Sequence, residues 1–135
     1  MCGIIGVIND EDVTSTILGV LRKLEYRGYD SAGLATIQNS RIERRRAKGK
    51  IENLEGLVRE KPLSGNIGIG HTRWATHGVP SKSNAHPHQK GSLVGVHNGI
   101  IENFREIKIE LESQGYTFTS ETDSEVIGHL IHAKL

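Results

Sequence analysis

The chain has 135 residues, 17 Lys and Arg against 16 Asp and Glu, and a single cysteine. That length is one domain, a net charge of +1 gives no general attraction to nucleic acid or a membrane surface, and one cysteine excludes an internal disulfide. No apolar run approaches the roughly 18 residues of a membrane span and the first residues lack a basic signal region, so the reading is a cytoplasmic protein with no nucleic-acid or membrane partner.

Residues 2–8, CGIIGVI, are apolar and β-branched and stop at Asn9 and Asp10, the pattern of a buried strand. Asp10 or Asp12 caps a helix whose apolar face is Ile17, Leu18, Leu21 and Leu24 and which ends near Gly28. YRGYDSAG is then a polar turn into a strand GLATIQ, with RIERRRAKGK as its hairpin partner. A helix over residues 51–59 is stopped by Pro62. NIGIGHTR is a short strand with glycine at alternate positions, where a backbone or a ligand can come close.

The 18 residues WATHGVPSKSNAHPHQKG are too polar and too rich in Pro, Gly, Ser and Asn for regular structure. A loop that long in a compact domain is usually functional or disordered. SLVGVHNG is the next strand, ENFREIKIELESQG an amphipathic helix closed by Gly115, and YTFTS a strand. Thr122 to Glu125 read as a capping box, opening a helix with Val126, Ile127, Leu130 and Ile131 inward and His129 and His132 on the surface. Alternating strands and helices with hairpins among them favour a layered α+β domain.

The one cysteine stands directly behind Met1. Removal of Met1 gives Cys2 an α-amine of pKa about 7.7–8.0, against about 10.4 for a lysine, so the amine can take the proton of the thiol beside it. Gly3 leaves space next to the sulfur. By position alone a small buried hydrophobe is the plainer account of Cys2.

The rest of the chain supplies what a thiol attacking a carboxamide needs. Asn98 followed by Gly99 offers a side-chain amide and a bare backbone N–H for an oxyanion. Arg73 and Asp123 complement the carboxylate and ammonium of a free amino acid. Histidines 71, 77, 86, 88 and 97 invite a metal, but their spacing matches no usual zinc pattern and the long loop holds no carboxylate. Arg44, Arg45 and Arg46 read as a solvated strand face, since no aromatics interleave them. Gly65, Gly68 and Gly70 are not followed by the Gly-Lys-Ser/Thr of a phosphate loop.

Taken together, CGIIG, EYRGYDSAG, HTRWATHGVPS, NAHPH, VHNGIIEN and GYTFTSETDSEV resemble the glutaminase domain of the class II glutamine amidotransferases, which are N-terminal-nucleophile hydrolases. The resemblance implies an αββα sandwich, incomplete in this chain, with residues 1–135 as the N-terminal portion of the domain and no cofactor. It implies Cys2 as nucleophile and its own amine as base, Asn98 and Gly99 as oxyanion hole, Arg73 on the α-carboxylate of L-glutamine and Asp123 on its α-ammonium. Trp74, Thr76 and His77 would belong to a loop closing over the substrate with His86 near it, and Arg27 would help fix the N-terminus. The wording of the motifs is most like the amino-sugar branch of the family. There the ammonia passes to a sugar-phosphate isomerase domain using fructose 6-phosphate, which this chain lacks. Three other readings stay open: the glutaminase domain of another class II amidotransferase, a fragment that binds glutamine or a complementary chain without turnover, and a Cys–His or metal hydrolase using His77 or His97.

Overall fold

In this computed structural model, which describes residues 2–75 and 77–135, four strands form one antiparallel sheet. β1 (Gly3–Ile8), β4 (Ile67–Arg73), β2 (Ser31–Gln38) and β3 (Arg41–Lys48) lie side by side in that order. Helices α1 (Thr14–Leu24) and α2 (Ile51–Glu60) cover one face. Their apolar stripes meet the alternate residues of the strands, so Val13, Ile17, Leu21, Ala32, Leu34, Ile51 and Leu54 are fully buried together. Each large aliphatic side chain there contributes about 1.5–3 kcal/mol by leaving water. Just before α1, whose N-cap position is Val13 with no side-chain cap, Asp12 accepts the N–H and hydroxyl of Thr14 and the N–H of Gly65. The close approach that the glycines of β4 predict is made by this helix rather than by a ligand: a Cβ on Gly70 would stand 2.6 Å from Ile17.

The opposite face meets a second layer. Cross-strand partners share a face, so Gly33, His71 and Arg46 look out together. On them lies the segment 83–88: His86 stacks on His71 with ring centroids 4.0 Å apart, and a Cβ on Gly33 would reach 2.0 Å from the His86 carbonyl oxygen. Arg46 donates to the carbonyls of Ser83 and Ala85, and Arg44 to that of Pro87. The basic run is therefore a clamp between layers, not the solvated face its composition suggests. Burial and the neighbouring Arg44 push Arg46 down to about 10.

β5 (His88–Lys90) and β6 (Leu93–Gly95) form a two-stranded antiparallel sheet, and α4 (Glu125–Lys134) packs on both, with α3 (Phe104–Ser113) against α4. The order of layers is helix, sheet, sheet, helix, with the second sheet much smaller than the first. Ile4, Ile8 and Ile67, on the same face as His71, stay exposed, Ile8 by 80%. β1 is thus an edge strand with only Ile5 and Val7 packed on the core, not the buried strand its composition predicts.

Four other expectations change. The 18-residue loop is shorter, because His88–Lys90 is a strand. YTFTS is no strand: the N–H groups of Thr119 and Ser120 go to the Glu125 carboxylate instead of a ladder partner. Glu125 thus reaches back to those two residues rather than closing a box with Thr122, and no side chain caps α4. The helix is turned accordingly: Glu125, Val126 and His129 face inward, His129 only 3% exposed, while Leu130 and Ile131 are 39% and 47% exposed. His129 lies against the rings of Tyr116 and Phe118.

Candidate active site

Cys2 is placed by the strand behind it. Gly3 opens β1 opposite Thr72, and its N–H donates to Thr72 Oγ1 at 3.0 Å, so the sulfur emerges beside the end of β4. There the Trp74 N–H donates to Sγ at 3.3 Å, and Sγ lies 3.8 Å from the Trp74 carbonyl oxygen. A half-buried thiol in contact with a backbone N–H is oriented.

Arg73, the last residue of β4, is almost fully buried. Its guanidinium donates to the carbonyls of Val79 (3.2 Å), Gly78 (3.0 Å) and His77, and lies 3.5 Å from Asp30. It folds the 77–79 loop around itself and keeps its charge compensated. Asp30 is the residue that sequence reasoning missed. Its carboxylate also accepts the Ala75 N–H and the Ser31 hydroxyl, so it fixes both sides of Trp74. Its only signal in the sequence is an acid in the YRGYDS turn, three residues beyond Arg27. Arg27 itself sits on a 3-10 turn, Glu25–Arg27, exposed and outside the lining of the cleft.

From the second layer come Asn98, Gly99 and Asp123. Asn98 Nδ2 donates to the Cys2 carbonyl at 3.4 Å, which puts a side-chain amide donor against Cys2. Asp123 is buried; one oxygen accepts the Ile101 N–H at 2.7 Å, and the other lies 3.7 Å from His77 Nδ1. His77 packs edge-on against Phe104. His86 accepts the His97 N–H on Nδ1 at 3.4 Å, and the His97 ring is bonded to Ser124 Oγ at 3.0 Å.

These residues surround one cleft of about 290 Å³, lined by Cys2, Arg73, Trp74, His77, Asn98 and Asp123, with His86, Gly99 and four neighbours completing it. Of the expected site residues, only Arg27 stands apart, and Thr76 lies outside the described residues. Trp74 is half exposed at the rim. The cleft brings together a guanidinium, a carboxylate, a thiol and a side-chain amide, groups that suit a small zwitterion bearing a carboxamide.

The histidines are not arranged as ligands. Among the described residues no three of His, Cys, Asp and Glu are grouped so as to hold a metal ion. Instead burial keeps His71, His86 and His88 neutral: it pushes His71 down to about 4 and His88 to about 3, and His86 lower still, each further depressed by neighbouring positive groups. No described helix is long and apolar enough to cross a membrane.

Comparison with known proteins agrees with this chemistry. Residues 71–135 match the family described as glutamine amidotransferase domain. Over all 135 residues the chain is 56% identical to the glutamine–fructose-6-phosphate aminotransferase [isomerizing] of Mesorhizobium japonicum and 59% identical to that of Bradyrhizobium diazoefficiens. It spans 22% of the length of each of these relatives. Among solved structures it resembles a glutamine phosphoribosylpyrophosphate amidotransferase from B. subtilis complexed with ADP and GMP. The TM-score is 0.82 at 26% identity, over 98% of this chain and 29% of that one. A second structure, an allosteric regulatory enzyme of purine biosynthesis, gives a TM-score of 0.83 at the same identity and coverage. The α+β sandwich is that of these amidotransferases.

Proposed function

From the match of residues 71–135 to a glutamine amidotransferase domain, we propose that the chain hydrolyses L-glutamine to glutamate and ammonia through a thioester on Cys2. The observation that carries this is the shared cleft: Cys2, Arg73, Asn98, Gly99 and Asp123, far apart in sequence, line one cavity. We assign residues 1–135 to the N-terminal portion of the glutaminase domain.

With Met1 removed, the Cys2 amine takes the thiol proton and the sulfur attacks the side-chain amide carbon. The oxyanion forms against Asn98 Nδ2 and the Gly99 N–H, donors of a kind each worth about 2.7–4 kcal/mol in turnover. The C–N bond breaks as the amine returns its proton to the leaving nitrogen, and ammonia departs. Water then attacks the thioester carbon, its proton passing to the amine, and glutamate leaves with the thiol restored. Arg73 holds the α-carboxylate and Asp123 the α-ammonium, each charged hydrogen bond worth about 1.5–3 kcal/mol. That preference selects free glutamine over glutamine within a peptide. Trp74, Thr76, His77 and His86 belong to the segment that encloses the substrate, and Arg27 supports the turn behind the nucleophile. The likeness to glutamine–fructose-6-phosphate aminotransferases supports the amino-sugar branch, a cytoplasmic setting, and a parent in which a sugar-phosphate isomerase domain uses fructose 6-phosphate as ammonia acceptor.

The test is glutamate release from L-glutamine by the chain, together with its intact mass. Release by a form lacking Met1, abolished in Cys2→Ala and by any N-terminal extension, is the expected result. Release that survives Cys2→Ala or a retained Met1 overturns the mechanism. Glutamine binding without turnover favours the binding-only reading instead.

A further inference from the structure

The residue before the oxyanion pair is held at every polar atom of its backbone. The carbonyl oxygen of His97 accepts Nε2–H of His71 at 3.0 Å, and its N–H donates to His86 Nδ1. Its ring is bonded to Ser124, next to Asp123. The two histidines that grip the backbone are stacked on each other, 11° from parallel. His71 belongs to β4 in the first sheet, whereas 97–99 belong to the second layer. One side chain therefore ties the oxyanion donors to the strand whose end carries Arg73 and touches Cys2.

His71 is an expensive choice for that position. It is fully buried, and its Nδ1 has no hydrogen-bond partner among the described residues. A buried polar atom left unpaired costs stability that an apolar residue would not lose, and such a group in a native fold calls for an explanation. Burial keeps the ring neutral across the ordinary pH range, with one N–H, and that N–H goes to His97. Nothing else on the first sheet is seen to reach this peptide.

We infer that His71 is a positioning residue for the oxyanion hole: through the His97 carbonyl it sets the register of Asn98 and Gly99 against the nucleophile. This rests on the glutaminase reading for its catalytic consequence, but not for the geometric one. An error of about 1 Å at such donors costs on the order of 100-fold in rate, so the strut acts on turnover rather than on substrate affinity.

The test uses the full chain with His71→Phe and His71→Gln. Glutamine places an amide N–H close to where Nε2–H stands, and phenylalanine fills the volume without a donor. The expected result for His71→Phe is a kcat lower by about 10- to 100-fold, with KM for glutamine nearly unchanged. The NMR signals of the Gly99 N–H and the Asn98 side-chain amide should be shifted and broadened, and the His97 amide should exchange faster. His71→Gln restores all of these. If His71→Phe matches the parent in both kinetics and spectra, the inference fails. It fails equally if His71→Gln is as impaired as His71→Phe, because then the ring's bulk and not its donor matters. If the parent chain releases no glutamate, the functional reading fails, while the resonances and exchange rates still decide whether His71 positions the pair.

Discussion

The backbone N–H of Trp74 points at the sulfur of Cys2 from 3.3 Å, so the first described residue of the chain and the first residue beyond β4 are joined at the floor of the cleft. Asp30 secures that peptide from below by accepting the next N–H, that of Ala75. The Cys2 thiol is therefore oriented beside the same strand that delivers Arg73. This coupling of layers leads to measurable consequences away from the sulfur itself.

The contact between layers leaves no room at Gly33. Gly33→Ala forces a Cβ onto the His86 carbonyl oxygen, backbone that cannot swing aside, and should cost about 1–3 kcal/mol in urea unfolding. Gly19→Ala is the internal contrast: it lies within α1 with nothing inside 4 Å of the new methyl, and should stabilise by about 0.5–1 kcal/mol. A neutral Gly33→Ala disproves the tight junction.

Acid should unfold the protein through its histidines. Folded His71 and His88 titrate near 4 and 3, against 6.5 when exposed. As pH falls below 6.5 the unfolded chain takes up protons that the buried rings refuse. Stability is then intact above that pH and is lost toward pH 4, by about 1.4 kcal/mol per pH unit for each ring. Urea midpoints measured across this window should fall steeply, and His71→Gln should make the slope shallower. A midpoint that does not move with pH contradicts neutral burial.

Glu125 holds the approach to α4. Burial alone would raise its carboxyl, but bonds from Ser120, Thr119 and His129 bring it below its usual value. Glu125→Ala removes the carboxylate that accepts the N–H groups and hydroxyls of Thr119 and Ser120 and leaves His129 without its carboxylate partner. The expected loss is about 3 kcal/mol or more, accompanied by weaker glutamine binding because Asp123 lies two residues upstream. Chemical denaturation and the KM for glutamine check the two halves separately.

Arg46→Met keeps the aliphatic stem and deletes the donors to Ser83 and Ala85. Because the guanidinium is itself partly desolvated, global stability should change by only about 1 kcal/mol. Hydrogen exchange across 83–88 should nonetheless accelerate several-fold. Unchanged exchange there would mean that the clamp is not what holds the segment.

Much of this was readable from residue order, for definite reasons. The first sheet and α1 and α2 follow from apolar periodicity matched to nearby partners, so β2, β3, β4 and both helices stand close to where the pattern puts them. Cys2, Arg73, Asn98, Gly99 and Asp123 could be named because each has a chemical reason to be the type it is. What failed depends on distant contacts. YTFTS has strand composition, yet the N–H groups of Thr119 and Ser120 are claimed by the Glu125 carboxylate. His129 reads as surface until Tyr116 and Phe118 close over it. The arginines of β3 look solvated because the carbonyls they grip lie some forty residues away.

One feature of β1 has a consequence for how such a chain tolerates change. The strand is bonded along one side only, to β4, with Gly3 facing Thr72 so closely that a methyl there would lie 2.7 Å from the threonine hydroxyl. Counting from that rung fixes where the sulfur emerges, and side chains alternate between faces with every residue. A single amino acid inserted between Cys2 and Gly3 would therefore aim the thiol away from the cleft. The spacer of zero residues is as much a part of the reactive apparatus as the sulfur it delivers.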